Sequence, residues 1–78
     1  MIPKFYRRNI RYMWSEIDDY LGRNNTSARI SRFYSDIDNL VIEADRDEKN
    51  LVREVIEALG WKFYDIGTNE DKIMITFK

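Results

Sequence analysis

The chain has 78 residues, 13 basic and 14 acidic side chains, a net charge of −1, and neither cysteine nor histidine. That length holds one small domain, and the balanced charge exerts no bulk pull toward nucleic acid or membrane. The missing residue types exclude a disulfide framework, a thiolate zinc site, Ser–His or Cys–His nucleophilic pairs and the usual neutral-pH general base.

The first expected element is a helix. Tyr6, Ile10, Met13, Trp14, Ile17 and Leu21 recur at steps of three and four and form one apolar stripe. Pro3 suits the first turn and Gly22 suits the C′ position. Residues 27 to 38 match two templates. Ile30, Phe33, Tyr34 and Ile37 have helical spacing, while the Phe33-Tyr34 pair and the Asp36-Ile37-Asp38-Asn39 turn fit a strand from Ile30 to Ser35. The strand is preferred, because a full helix leaves little room for a connection to the next element.

Leu40 to Ala44 alternates as a strand. Asp45 and Glu48 have capping-box spacing and open a second helix with Leu51, Val52, Val55, Ile56 and Leu59 inward and Gly60 at its end. Trp61 to Ile66 and Lys72 to Phe77 then read as a hairpin around Gly67–Asp71. The expected fold is a single α+β domain over residues 1–78, ordered α-β-β-α-β-β, with two helices on one face of a mostly antiparallel sheet of three to four strands. No run of about 18 apolar residues exists to span a membrane, and residues 1–5 lead into charge rather than into a secretory h-region. The expected location is the cytoplasm.

Charge is unevenly distributed. Residues 1–34 carry a net +4 and residues 35–78 a net −5. At about 100° per residue, Lys4, Arg7, Arg8 and Arg11 fall within roughly a 100° arc beside the apolar stripe. Like charges at these spacings repel by about 0.2–0.5 kcal/mol per pair, a cost that a docked anion would offset. Lys4, Arg7, Arg8, Arg11 and Tyr12 are therefore the expected partner-binding residues, and Arg29 and Arg32 extend the patch if residues 29–34 form a strand. The same cations on an ordinary solvated face are the plainer alternative.

Asp36 and Asp38, two apart at the start of an apolar strand, point the same way and could reach one cation. This segment resembles the metal-binding motif of the nucleotidyltransferase superfamily, an Asp-x-Asp strand after a Gly-Ser turn. The resemblance places Thr26-Ser27 at the turn and Asp65 as the third carboxylate, though the glycine is absent. It implies a metal site only if the strands holding Asp38 and Asp65 are antiparallel neighbours. The same residues equally make a plain hairpin turn. The passage from the second helix through Gly60 and Trp61 into the hairpin resembles small RNA-directed toxins of double-stranded-RNA-binding-like fold. Those need a hairpin histidine that this chain lacks, so Trp61 and Phe63 are expected in the core.

With no catalytic constellation and no cofactor motif, the leading expectation is a non-enzymatic protein-interaction module. By analogy of size and composition it is a phage- or mobile-element-type inhibitor or adaptor of a macromolecular enzyme. Its contacts are expected on the basic-aromatic side of the first helix or on the acidic region from Glu43 to Glu57. A nucleic-acid-binding module using the same cations is the alternative, and a divergent nucleotidyltransferase-like metal site the second. A modest core and eleven aromatic residues are also compatible with a C2 homodimer.

Overall fold

The computed structural model describes residues 10–34 and 37–78, with side chains from residue 12 onward. The expectations for Lys4, Arg7, Arg8, Asp36 and the side chain of Arg11 lie outside the described residues. The element order is α1 (Ile10–Arg23), β1 (Arg29–Tyr34), β2 (Asn39–Asp45), a short 3₁₀ turn (Arg46–Glu48), α2 (Lys49–Ala58), β3 (Phe63–Asn69) and β4 (Lys72–Phe77). The strands form one antiparallel sheet in the order β1-β2-β4-β3. This is the expected α+β arrangement of two helices and four strands. No helix among the described residues is long and apolar enough to cross a membrane.

Both helices bury their apolar stripes against one sheet face. Met13, Ile17 and Leu21 of α1 and Val52, Val55 and Ile56 of α2 join Ile30, Leu40, Ile42, Ala44, Ile73, Ile75 and Phe77 in a single core. Period-two alternation on β2 and β4 produces this face directly. Leu51, expected inward, is 39% exposed on the outer side of α2. The remaining apolar positions of that helix suffice to cover the sheet.

The two outer strands use a different device. Apolar residues on β1 and β3 stand three apart (Ile30 and Phe33, Phe63 and Ile66), an odd spacing that would put them on opposite faces of a regular strand. Each strand carries a bulge between those residues. Ile30 pairs with Ile42 and Phe33 with Leu40, while Phe63 pairs with Phe77 and Ile66 with Ile75. One extra residue puts Ile30 and Phe33 on the core side of β1, and on β3 it sets Phe63 against the core and Ile66 across from Ile75, where Ile66 stays 37% exposed at the sheet edge. The helical spacing at residues 30–37 is thus the imprint of a bulged strand.

Helix α1 runs through Gly22 and closes on asparagine instead. The Thr26 N–H donates to the Leu21 carbonyl (3.2 Å) and the Asn25 N–H to the Gly22 carbonyl (3.1 Å), with Asn25 at φ 62°. This is a Schellman closure with Asn at C′, a residue that tolerates the left-handed region. Gly60, at φ 96°, ends α2 as expected. The hairpin loop is shorter than expected. Only Glu70 and Asp71 turn the chain, Glu70 at φ 56°, so β3 extends through Gly67, Thr68 and Asn69.

Helix, sheet and loop are tied together by Ser27. Its N–H donates to Glu48 Oε2 (2.8 Å), and its hydroxyl lies 2.8 Å from Glu48 Oε1 and 3.0 Å from Asp45 Oδ2. The Asp45 N–H donates to Glu48 Oε1 at 3.4 Å, the Glu48 half of the expected capping box. Lys72, opposite Asp45 in the register, forms an ion pair with its Oδ1. The hydrogen bonds from Lys72 and Ser27 hold Asp45 below the usual carboxylate range, and the Ser27 N–H does the same for Glu48. Both carboxyls titrate lower folded than unfolded. The stability they contribute is therefore complete above their ordinary values of 3.8 and 4.5 and is lost as pH falls through the lowered folded values. Asp45 raises Lys72, whose contribution is complete below its ordinary 10.5 and disappears at higher pH. Ser27→Ala is expected to cost about 1 kcal/mol in urea unfolding at neutral pH. Repeated near pH 3, the same comparison should show a smaller difference.

Candidate functional site

Among the described residues, no element covers the second face of the sheet. Register assigns its occupants, because partners across an antiparallel ladder share a face. Arg29 pairs with Glu43, Arg32 with Val41 and Tyr34 with Asn39, and these β2 residues alternate with the buried Leu40, Ile42 and Ala44. On β4, Lys72, Met74 and Thr76 face the same way, opposite Asp45, Glu43 and Val41. Lys78 follows Phe77 on this face and exchanges two backbone hydrogen bonds with Lys62 (2.9 and 2.8 Å). The bulge turns Tyr64 and Asp65 outward together.

The two ends of this face differ. At one end Arg29 stands across from Glu43, and Asp45 is paired with Lys72. At the other, Tyr34, Asn39, Lys78 and Lys62 form a row across the sheet, with Arg32 and Tyr64 beside it. Tyr34 is 42% and Tyr64 57% exposed, and the Lys78 ammonium lies 3.8 Å from the Tyr64 ring centroid. Arg32 makes no ion pair among the described residues.

The expected partner-binding residues are therefore divided between layers. Tyr12, 43% exposed, belongs to α1 in the helix layer. Arg29 and Arg32 project from the opposite face of the sheet, Arg32 beside Tyr34 and Arg29 at the other end across from Glu43. No sequence pattern marks Lys62 and Lys78 as site residues, whereas Tyr34 and Tyr64 are tyrosines of the kind that serve at interfaces. They lie far apart in the chain, and only strand pairing and a bulge assemble them.

Both sheet edges are guarded. Asp18 of α1 accepts the Ile30 N–H of β1 (Oδ1, 2.9 Å), and Asp65 accepts the Ile66 N–H of β3 (Oδ1, 2.9 Å). Bulges and charges at a sheet edge discourage pairing with another chain. Asp18 near a helix C-terminus opposes the macrodipole, and its bond to β1 is the compensation. Asp18→Ala would leave the Ile30 N–H without its acceptor, with an expected loss of about 1–3 kcal/mol in urea unfolding. Size-exclusion chromatography should show more self-association than in the parent.

Asp38 and Asp65 do not converge. Asp38 sits in the β1–β2 turn at φ 55°, and β4 separates β2 from β3. Among the described residues no group of three carboxylates could hold a metal ion. The acidic segment is divided: Glu43 and Asp45 stand on the open face of β2, while on α2 Asn50, Arg53, Glu54, Glu57 and Ala58 line an open groove of about 430 Å³. Its one cation is engaged: Arg53 donates to Glu57 (3.3 Å) and lies 4.0 Å above the Phe63 ring.

Among the described residues, the fold and this face define a two-layer α+β domain with one open, mixed-charge sheet surface. No family model, curated protein or solved structure matches the chain.

Proposed function

We propose that this chain is a non-enzymatic protein-interaction module that binds and modulates a macromolecular enzyme, in the manner of small inhibitors and adaptors of mobile elements. The observation that carries this reading is the sheet face left open among the described residues, which presents Arg29, Arg32 and Tyr34 along one strand with Arg32 next to Tyr34. Arginine and tyrosine are among the residues that dominate binding energy at protein interfaces. An antiparallel sheet fixes their backbone in advance, which lowers the ordering cost of binding and favours affinity. With both edges guarded, docking falls to the face rather than to strand addition.

The test is affinity capture from extract with the parent and with Arg29→Glu/Arg32→Glu. The parent should retain one stoichiometric protein, and the variant, equally folded by circular dichroism, should retain less than about a tenth of it. Equal capture by both forms contradicts the reading. Recovery abolished by nuclease would favour the nucleic-acid alternative instead.

A further inference from the structure

The cationic and aromatic end of the open sheet face has a composition that selects its partner. We infer that Arg32, Tyr34, Lys62, Tyr64 and Lys78 form the contact for a carboxylate-rich segment of a partner protein. This placement rests on the protein-interaction reading above and deepens it.

Charge supplies the first argument. Among the described residues three cations, Arg32, Lys62 and Lys78, stand at this end with two carboxylates, Asp65, already turned to the Ile66 N–H, and Asp38 in the adjoining β1–β2 turn. The opposite end is internally matched by Asp45–Lys72 and by Arg29 across from Glu43. An anionic segment gains at the first end and meets carboxylates at the other. The row from Tyr34 to Lys62 crosses three strand spacings, about 14 Å. That length takes a short loop or about two and a half helical turns.

The partner's class follows from the same geometry. A nucleic-acid strand following the same row would need open aromatic faces for stacking, and one running along the strands would carry its phosphates onto Glu43 and Asp45. One face of the Tyr64 ring is already taken by the Lys78 ammonium at 3.8 Å. Carboxylates need no ring face. They bond to guanidinium and ammonium groups, while tyrosine rings pack on the segment's apolar atoms and tyrosine hydroxyls donate to its oxygens. Four strands of about six residues give a face of roughly 400 Å², about half of what one partner contributes to a standard interface. The sheet is the centre of such a footprint, whose margin extends past β1.

The test titrates isotope-labelled full chain with a decaglutamate peptide and, separately, with an oligouridylate of about twelve nucleotides, both near 50 mM salt. Amide shifts from the peptide should centre on Arg32, Tyr34, Asn39, Lys62, Tyr64 and Lys78. Lys62→Glu/Lys78→Glu should bind the peptide at least about tenfold more weakly, Lys62→Gln/Lys78→Gln should fall between, and Lys49→Glu on α2 should match the parent. Shifts centred elsewhere, no shifts, or oligouridylate binding as tight as the peptide overturns the placement. Peptide binding lost while protein capture persists removes this placement alone. Capture that fails while peptide binding stands removes the protein-interaction reading.

Discussion

Trp61→Ala is expected to destabilise the domain by about 3–5 kcal/mol, the range for truncating a buried aromatic side chain. Trp61 is 4% exposed and begins the return from α2 to the sheet, its ring edge-on to Phe33 with centroids 6.1 Å apart. The indole therefore joins the end of α2 to β1, on the far side of the sheet from β3. Truncation removes that burial and opens a cavity between elements that the short connection at Gly60 holds in place. At roughly 0.05–0.15 kcal/mol per residue, a domain of this length has about 4–12 kcal/mol in total. The loss is at least about a quarter of that total, and the urea midpoint should fall in proportion. A loss below about 1 kcal/mol would mean that the indole is not packed as described.

Tyr34→Ala should do the reverse. The ring stands on the open face, so its removal should change stability by less than about 0.5 kcal/mol. Capture of the protein partner should weaken by about 2 kcal/mol, roughly thirtyfold, as for an aromatic anchor at the centre of an interface. Tyr12→Ala is the matched control, since its exposure is nearly the same (43% against 42%) and it lies in the helix layer. Equal losses from the two variants would spread the contact over both layers and remove the distinction on which the site is built. Stability and binding are thus expected to separate cleanly between Trp61 and Tyr34.

Much of the fold is legible in the sequence because the central strands obey simple periodicity. Ile73, Ile75 and Phe77 alternate, as do Leu40, Ile42 and Ala44, and both helices show an apolar stripe. The outer strands are harder to read. Ile30/Phe33 and Phe63/Ile66 have odd spacing, and a bulge rather than a helix reconciles it. Gly22 attracts the helix end by its conformational freedom, yet the closure falls at Asn25, where Asn24 and Thr26 side chains also reach the carbonyls of Tyr20 and Leu21. Asp18 looks unfavourable while α1 is considered alone. Its role is visible only when Ile30, twelve residues on, turns its N–H toward it.

The candidate site was legible only in fragments. Arg29 and Arg32 are conspicuous as charge, but the sequence alone groups them with the cations of the first helix. The register of β1 places them on the opposite sheet face. Lys62 and Lys78 come together through reciprocal backbone hydrogen bonds that no local pattern announces. The carboxylate trio fails for a topological reason: β4 is inserted between the strands that would have to be neighbours.

Site-specific photocross-linking tests the central claim most directly. A benzophenone side chain would replace Tyr34, Tyr64 or, on α2, Glu54, and cells expressing each form would be irradiated. The account predicts that positions 34 and 64 cross-link to the same protein while position 54 does not. Cross-links confined to position 54, or adducts at 34 and 64 that are nucleic acid, would contradict it.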